Sequence, residues 1–132
     1  MIRHLTAVRR DLLERTEEVF IDGPAICRGN TVSAKECPPF AGTDTLERTA
    51  DAVILSHRGE TESRIVLPLA GTGEAEVSSM FGTMCFGSEI TEYVWEEEEI
   101  RLRYRLFQEG NTVSEIELVF RFRTEKRHTL LA

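Results

Sequence analysis

Apolar and polar residues alternate most clearly between Ile100 and Arg123. Apolar residues recur there at every second position, as they do in strands with one face in a protein core. They are Ile100, Leu102, Tyr104 and Leu106 in the first half and Ile116, Leu118, Phe120 and Phe122 in the second. The pattern predicts a β-hairpin with one buried face.

The turn of this hairpin is predicted at Gln108-Glu109-Gly110, because glycine accepts the left-handed conformation that such a loop requires at its third residue. Opposite charges then face each other across the strands, and each such pair contributes roughly 0.2–1 kcal/mol. The predicted pairs are Phe107 with Asn111, Arg103 with Glu115 and Arg101 with Glu117. Turn and charge are therefore expected to select one register.

The first part of the chain, residues 5–20, predicts an amphipathic helix. Leu5, Val8, Leu12 and Val19 lie near one stripe of such a helix. The charges along the segment oppose the helix dipole, so packing against a sheet would have to stabilise it. Residues 18–21 also fit a short strand, which leaves the end of the helix open.

The middle of the chain predicts a series of short strands. After a turn at Asp22-Gly23-Pro24, the predicted strands are 25–32, 44–49, 52–57, 61–67, 75–79 and 83–95. Short strands joined by hairpin turns favour an antiparallel meander. The predicted fold is mainly β, with the meander closed or nearly closed into a barrel and one N-terminal helix. A single domain is expected to span residues 1–132.

One irregular loop interrupts this pattern, from Cys37 to Gly42. Its two prolines, Pro38 and Pro39, lack the backbone donors that a strand uses. If any part of the chain moves as a gate, this loop is a good candidate. A different interpretation applies to the basic segment Lys126-Arg127-His128, which is expected to form a frayed tail.

Composition narrows the classes of partner. The chain of 132 residues is 41% hydrophobic and 30% charged, and its formal net charge is −7. Nucleic acid is therefore not an expected partner, because its binding requires concentrated Lys and Arg. No segment approaches the roughly 18 consecutive apolar residues of a membrane span, and the start resembles no signal peptide. We expect a cytoplasmic protein.

Residues that commonly carry chemistry are scattered along the sequence. Cys27, Cys37 and Cys85 are interpreted as free thiols, although Cys27 and Cys37 could pair in an oxidising setting. His57 precedes a turn and is interpreted as a rim or surface histidine. No zinc spacing, nucleophile elbow, phosphate loop or dinucleotide fingerprint is present. No metal, cofactor or catalytic residue is predicted, and an enzyme is the least favoured class.

The apolar face of the predicted strands is the best candidate for a binding site. Small barrels are either filled by their inward side chains or hold one small ligand. The candidate ligand-binding residues are Tyr104, Ser114, Phe120, Phe122, Met84, Phe86 and Trp95. Ser114, together with Arg64 or Glu92, would supply the few polar groups that orient a guest.

Two functions from different classes follow. The first is binding of a small apolar or amphipathic ligand in the barrel interior. The second is a protein-interaction or regulatory module with a packed, ligand-free core, for which a homodimer is one form.

Three segments resemble elements of a known family. They are residues 51–60, residues 79–84, and the final hairpin with Tyr104-Arg105-Leu106 and Val113-Ser114-Glu115. In order and spacing, from about Asp44 to Phe122, they resemble the YwiB-like family of small calycin-type β-barrel proteins, whose function is unknown. The resemblance implies a lipocalin-like architecture and no catalytic residues. The first 40 residues depart from it, because that region supplies strands in such families and a helix is predicted here.

Overall fold

A computed structural model describes residues 1–123 of the chain. The described part consists of ten β-strands: β1 (Ile2–Asp11), β2 (Thr16–Arg28), β3 (Thr31–Lys35), β4 (Thr43–Arg48), β5 (Ala52–Arg58), β6 (Glu62–Pro68), β7 (Gly73–Ser79), β8 (Gly82–Trp95), β9 (Glu99–Gln108) and β10 (Asn111–Arg123). The basic segment at residues 126–128 lies outside the described residues. Residues 1–123 contain no helix long and apolar enough to cross a membrane.

The strands form a closed barrel in which each strand pairs with its neighbours in sequence. The ring is closed by antiparallel pairing of β1 with β10, where Leu5 lies opposite Phe122 and Ala7 opposite Phe120. Because successive strands reverse direction, alternate loops gather at the same end of the barrel. We call one end the mouth; it carries the loops at 12–15, 36–42, 59–61, 80–81 and 109–110. The predicted mainly β, closed antiparallel architecture is confirmed.

The predicted N-terminal helix over residues 5–20 is wrong. β1, a turn and β2 occupy this segment. Leu5 and Ala7 are 1% and 0% exposed and lie two residues apart, as expected of a strand. Because alanine is only weakly hydrophobic, the two-residue period of this strand is not evident in the sequence. Leu12, which lies on the predicted helical stripe, is at the turn instead, beside the exposed Leu13.

The predicted turn at Asp22-Gly23-Pro24 is also wrong, because β2 continues through it. Pro24 pairs with His4 of β1, whereas pairing of β2 with β3 begins at Ala25. The missing N–H of Pro24 therefore interrupts no β2–β3 pair, which makes proline acceptable there. A register shift between Ala7 and Val8 places Phe20 and Ile21 next to each other in the core.

The predicted hairpin of residues 100–123 is confirmed as β9 and β10, but its register differs. The loop is the two-residue Glu109-Gly110, with φ of 51° and 80°, as two-residue hairpin loops favour. Beyond this loop, a β-bulge shifts the register between Thr112 and Ser114. The resulting pairs are Gln108 with Asn111, Phe107 with Thr112, Arg105 with Glu115 and Arg103 with Glu117. The predicted charge pairs were thus displaced by two residues, which kept the same face inward.

Side chains fill the half of the barrel away from the mouth. Val53, Leu67, Ile100 and Leu102 are among the fully buried residues there. On the outer wall, Glu117 accepts hydrogen bonds from Arg10 and Arg103 and is itself buried. Cys27, Cys37 and Cys85 are free thiols. The interior cavity lies in the other half, toward the mouth.

Candidate functional site

A cavity of about 610 Å³ occupies the mouth half of the barrel interior. Its wall is mostly apolar. The apolar lining includes Leu5, Phe20, Leu46, Ile65, Leu118 and Phe120. Pro39, Phe40 and Ala41 of the irregular loop contribute to the rim, together with Glu60 and Thr61. The predicted loop from Cys37 to Gly42 is confirmed as irregular structure at the cavity, and its role as a gate stays a prediction.

Three polar side chains converge on the wall of this cavity: Glu36, Asp44 and His57. We call them the acid–histidine cluster. Asp44 of β4 and His57 of β5 are cross-strand partners, so both point to the same face of the sheet. The His57 Nδ1 atom lies 2.8 Å from Asp44 Oδ1 and 2.9 Å from Glu36 Oε2. Two carboxylates therefore share one imidazole nitrogen.

Glycines hold the His57 ring in place. A Cβ atom at Gly42 would lie 2.7 Å from His57 Cε1 and 2.6 Å from the Arg58 carbonyl oxygen. A Cβ atom at Gly59 would lie 3.1 Å from His57 Nε2. The two backbones thus pack directly on the ring, and the φ of +116° at Gly42 favours glycine for a second reason. The ring has little freedom to turn away from the carboxylates.

Burial controls the charge of the cluster. The Glu36 side chain is 6% exposed. Its burial and the nearby Asp44 carboxyl together raise the pKa of this carboxyl to about 7, against the lowering effects of His57 and Arg9. The Oδ2 atom of Asp44 is also buried, and it has no hydrogen-bond partner among residues 1–123. The cluster therefore combines one buried side chain, Glu36, with one buried carboxylate oxygen, Asp44 Oδ2, that has no partner in the described chain.

Arg9 and Tyr104 are further polar side chains of the cavity wall. The Arg9 Nη2 atom donates to Glu18 Oε2 at 2.9 Å, and its guanidinium lies over the rings of Phe20 and Phe40 at 5.0 and 5.4 Å. Arg9 thereby connects the irregular loop to β1 and β2. Burial raises the pKa of Tyr104 to about 12, so this phenol stays neutral at physiological pH.

The structure separates the candidate ligand-binding residues into groups. Tyr104 and Phe120 line the cavity. Phe122 is buried in the core, and Phe86 is half-buried against it. Ser114 is half-buried and pairs with the inward residue Leu106.

The remaining candidates lie away from the cavity wall. Trp95 is half-buried against the core with the Arg48 guanidinium 4.7 Å from its ring, and Met84 is 55% exposed. Of the alternative orienting groups, Arg64 is exposed on the outer wall, and Glu92 lies 3.8 Å from Arg103. The structure does not bring these four residues together with Tyr104.

Sequence reasoning missed the acid–histidine cluster. His57 was interpreted as a rim or surface residue, and Glu36 and Asp44 were not singled out. A signal was present: Asp44 and Leu46 are two residues apart on β4, as are Leu55 and His57 on β5. Both polar residues thus continue an inward apolar face, where polar side chains require a partner. Glu36 lies beyond the end of β3, where the two-residue alternation of a strand no longer indicates which side chains point inward.

A larger concavity of about 1190 Å³ lies on the outside of the barrel, over β6, β7, β8 and the tip of the final hairpin. Many of its residues are exposed, including Arg64, Glu74, Glu76 and Cys85. It contains no member of the acid–histidine cluster. The interior cavity is therefore the better candidate for a binding site.

The sequence matches no protein-family profile and no curated protein. Its fold is similar to the crystal structure of the ywiB protein from Bacillus subtilis, with a TM-score of 0.56 and 14% sequence identity. The match covers 93% of this chain and 91% of that chain. At this identity the likeness shows the fold alone. It confirms the resemblance to a YwiB-like fold, and it extends into the N-terminal region that was expected to depart from it.

Proposed function

We propose that this protein binds a small apolar or amphipathic molecule inside the barrel. The observation that carries the proposal is the cavity of about 610 Å³, with a mostly apolar wall and polar side chains that include the acid–histidine cluster, Arg9 and Tyr104. Sites for small molecules in proteins typically have volumes of roughly 300–1,000 Å³ and this distribution of polarity. The ten-stranded up-and-down order around a cavity supports the calycin-like interpretation, although fold alone does not establish function.

The distribution of side chains suggests how a guest would lie. An apolar body would contact Leu118 and Phe120, with Phe122 supporting them from behind. A polar end would lie near Tyr104 and the acid–histidine cluster. Phe40, in the irregular loop at the rim, would cover the guest after it enters. The proposal includes a cytoplasmic location, because three free thiols persist most readily in a reducing compartment.

Thermal-shift and calorimetric titrations test this proposal. The probes are saturated fatty acids of increasing chain length, followed by isoprenoids and tetrapyrroles. Each buried methylene contributes roughly 0.8 kcal/mol, so affinity should rise about fourfold per added carbon until the cavity is filled. If no probe stabilises the protein, the proposal is wrong.

A pair of variants locates the binding. Ala34 is buried and lines the cavity, so Ala34→Phe should fill the space and abolish binding of the fatty acids. The matched control is Ala70→Phe, because Ala70 is exposed in the turn at the opposite end of the barrel. The control should bind as the wild type does. Equal affinity in both variants would place the bound molecule outside the interior.

A second candidate function is supported by a different feature. Met80 and Phe81, adjacent at the tip of the β7–β8 turn, are 89% and 91% exposed. Two neighbouring large apolar side chains in solvent favour contact with a protein, a second copy of this chain included. Sedimentation over a range of concentrations tests it. A concentration-dependent mass that disappears in Met80→Ser/Phe81→Ser would support the interaction module and a homodimer.

A further inference from the structure

The acid–histidine cluster offers three metal-ligating atoms from three different segments. One atom each from Glu36, Asp44 and His57 lie within 4.8 Å of one another. Both carboxylate oxygens approach the same His57 Nδ1 atom, at 2.8 and 2.9 Å. A ring nitrogen carries at most one proton, so it cannot donate a full hydrogen bond to both. A cation placed among the three atoms would satisfy all of them.

The surroundings leave one oxygen of this cluster without a partner. Asp44 Oδ2 is buried without a hydrogen-bond partner in the described chain, and the Glu36 side chain is 6% exposed. Buried carboxylates are costly unless they are paired or bind a metal. Arg9 lies on the same wall, but its guanidinium donates to Glu18 and stacks on aromatic rings.

We propose that Glu36, Asp44 and His57 bind one divalent transition-metal ion of the Zn²⁺ class. One imidazole with two carboxylates suits such ions, whereas Mg²⁺ and Ca²⁺ prefer oxygen ligands alone. Three protein ligands beside a cavity leave a further coordination position open toward it, as in zinc sites that bind a water or a substrate.

The geometry requires a small adjustment. Zn²⁺ lies about 2.0–2.2 Å from nitrogen and oxygen ligands, which separates tetrahedral ligand atoms by roughly 3.4 Å. The carboxylates must therefore move away from Nδ1 by about half an ångström. Glu36 lies just beyond the end of β3, outside the strand pairing that positions Asp44, so we expect its side chain to make this adjustment, while Gly42 and Gly59 hold the imidazole ring. Nδ1 is the ligating nitrogen, because Nε2 faces the Gly59 backbone.

The metal site does not depend on the proposed interior ligand, because its test uses the ion alone. The full chain, freed of metal with a chelator, is titrated with Zn²⁺ by calorimetry and with Co²⁺ by visible absorption. One ion per chain should bind, and the Co²⁺ complex should show the absorption bands of nitrogen and oxygen coordination. A lack of saturable binding would overturn the proposal and leave a shared proton between the carboxylates.

Variants identify the ligands. His57→Ala should weaken Zn²⁺ binding at least tenfold, and Asp44→Asn, which keeps the shape of the side chain, should do the same. His4→Ala is the control, since His4 Nε2 lies 2.8 Å from Asp22 Oδ1 in a second histidine–carboxylate pair outside the cavity. Circular dichroism confirms that each variant is folded. Wild-type affinity in folded Asp44→Asn would exclude this site, as would equal losses in His4→Ala.

Discussion

Asp44 and His57 face each other across β4 and β5, with Asp44 Oδ1 2.8 Å from His57 Nδ1. This contact places a polar pair on the inner face of a barrel whose core is formed mainly by aliphatic and aromatic side chains. Its position depends on the loops that bring Gly42 and Gly59 against the imidazole. The properties of the mouth can therefore be changed by substitutions at glycines as well as at the ionisable residues.

Gly42→Ala should destabilise the protein by about 2 kcal/mol or more. The added Cβ atom would meet the Arg58 carbonyl oxygen and the His57 ring, and φ there is +116°. A left-handed conformation alone costs a residue with a side chain roughly 1–2 kcal/mol. Urea denaturation measures the free energy of unfolding.

The matched control for that substitution is Gly29→Ala. Gly29 also has a positive φ, +56°, but a Cβ atom there meets nothing within 4 Å. The control should therefore show only the conformational cost of roughly 1–2 kcal/mol, without the clash. Equal losses at both positions would mean that packing on His57 contributes nothing.

Glu117→Gln should destabilise the barrel by about 2 kcal/mol at pH 7, because it removes charge-assisted bonds to Arg10 and Arg103. Burial alone would raise the pKa of Glu117, but bonds from Arg103 and Arg10 outweigh it and lower the pKa below its ordinary 4.5. A lowered folded-state pKa stabilises the fold above the unfolded value, and this stabilisation is lost as pH falls through the folded value.

The difference in unfolding free energy between wild type and Glu117→Gln should therefore be constant near neutrality and shrink below about pH 4.5. Chemical denaturation at a series of pH values measures it. Glu47→Gln, at an exposed position of β4, is the control and should change stability little at any pH. A difference that persists unchanged into acid would show that shape, and not charge, stabilises Glu117.

The register of the final hairpin can be tested by double-mutant cycles. Arg103 and Glu117 are cross-strand partners with a 3.2 Å contact, so their coupling should be roughly 0.5–1 kcal/mol. The sequence instead predicted Arg101 opposite Glu117, and coupling between those two should be near zero. A stronger coupling of Glu117 to Arg101 than to Arg103 would instead support the predicted three-residue turn, Gln108-Glu109-Gly110.

Phe40→Ala should accelerate the exchange of a bound fluorescent fatty acid. Phe40 lines the cavity rim, and the Arg9 guanidinium lies 5.4 Å from the centroid of the Phe40 ring. Removal of the ring should therefore free the irregular loop. Stopped-flow displacement measures the dissociation rate, which we expect to rise at least tenfold. Phe81→Ala, which removes an exposed ring elsewhere at the mouth, should leave the rate unchanged.

Local pattern predicted the strands wherever large apolar residues alternated with polar ones. The face that carries Ile100, Leu102, Tyr104 and Leu106 is buried as expected. The pattern failed in β1, where a small residue, Ala7, and a charged residue, Arg9, occupy inward positions. Those two positions resemble solvent-facing ones in the sequence, although Ala7 is fully buried and Arg9 lines the cavity.

The candidate site was harder to predict than the fold because its residues meet only in three dimensions. Tyr104 and Phe120 were singled out correctly as inward residues, since each continues a strict alternation. Glu36 is separated from His57 by the irregular loop, β4, a turn and most of β5, and nothing in its local sequence indicates burial. The register of β9 with β10 also depends on a bulge near Val113, and no glycine or other turn residue marks that position in the sequence.

Pairing of β1 with β10 joins the beginning of the described chain to its end, as at Leu5 and Phe122. During synthesis, β1 can therefore pair with its second neighbour, β10, only after almost all of the barrel has left the ribosome. A chain that stops before β10 would leave two unpaired strand edges, on β1 and β9, and such edges recruit strands from other molecules. Incomplete translation products of this protein should accordingly aggregate.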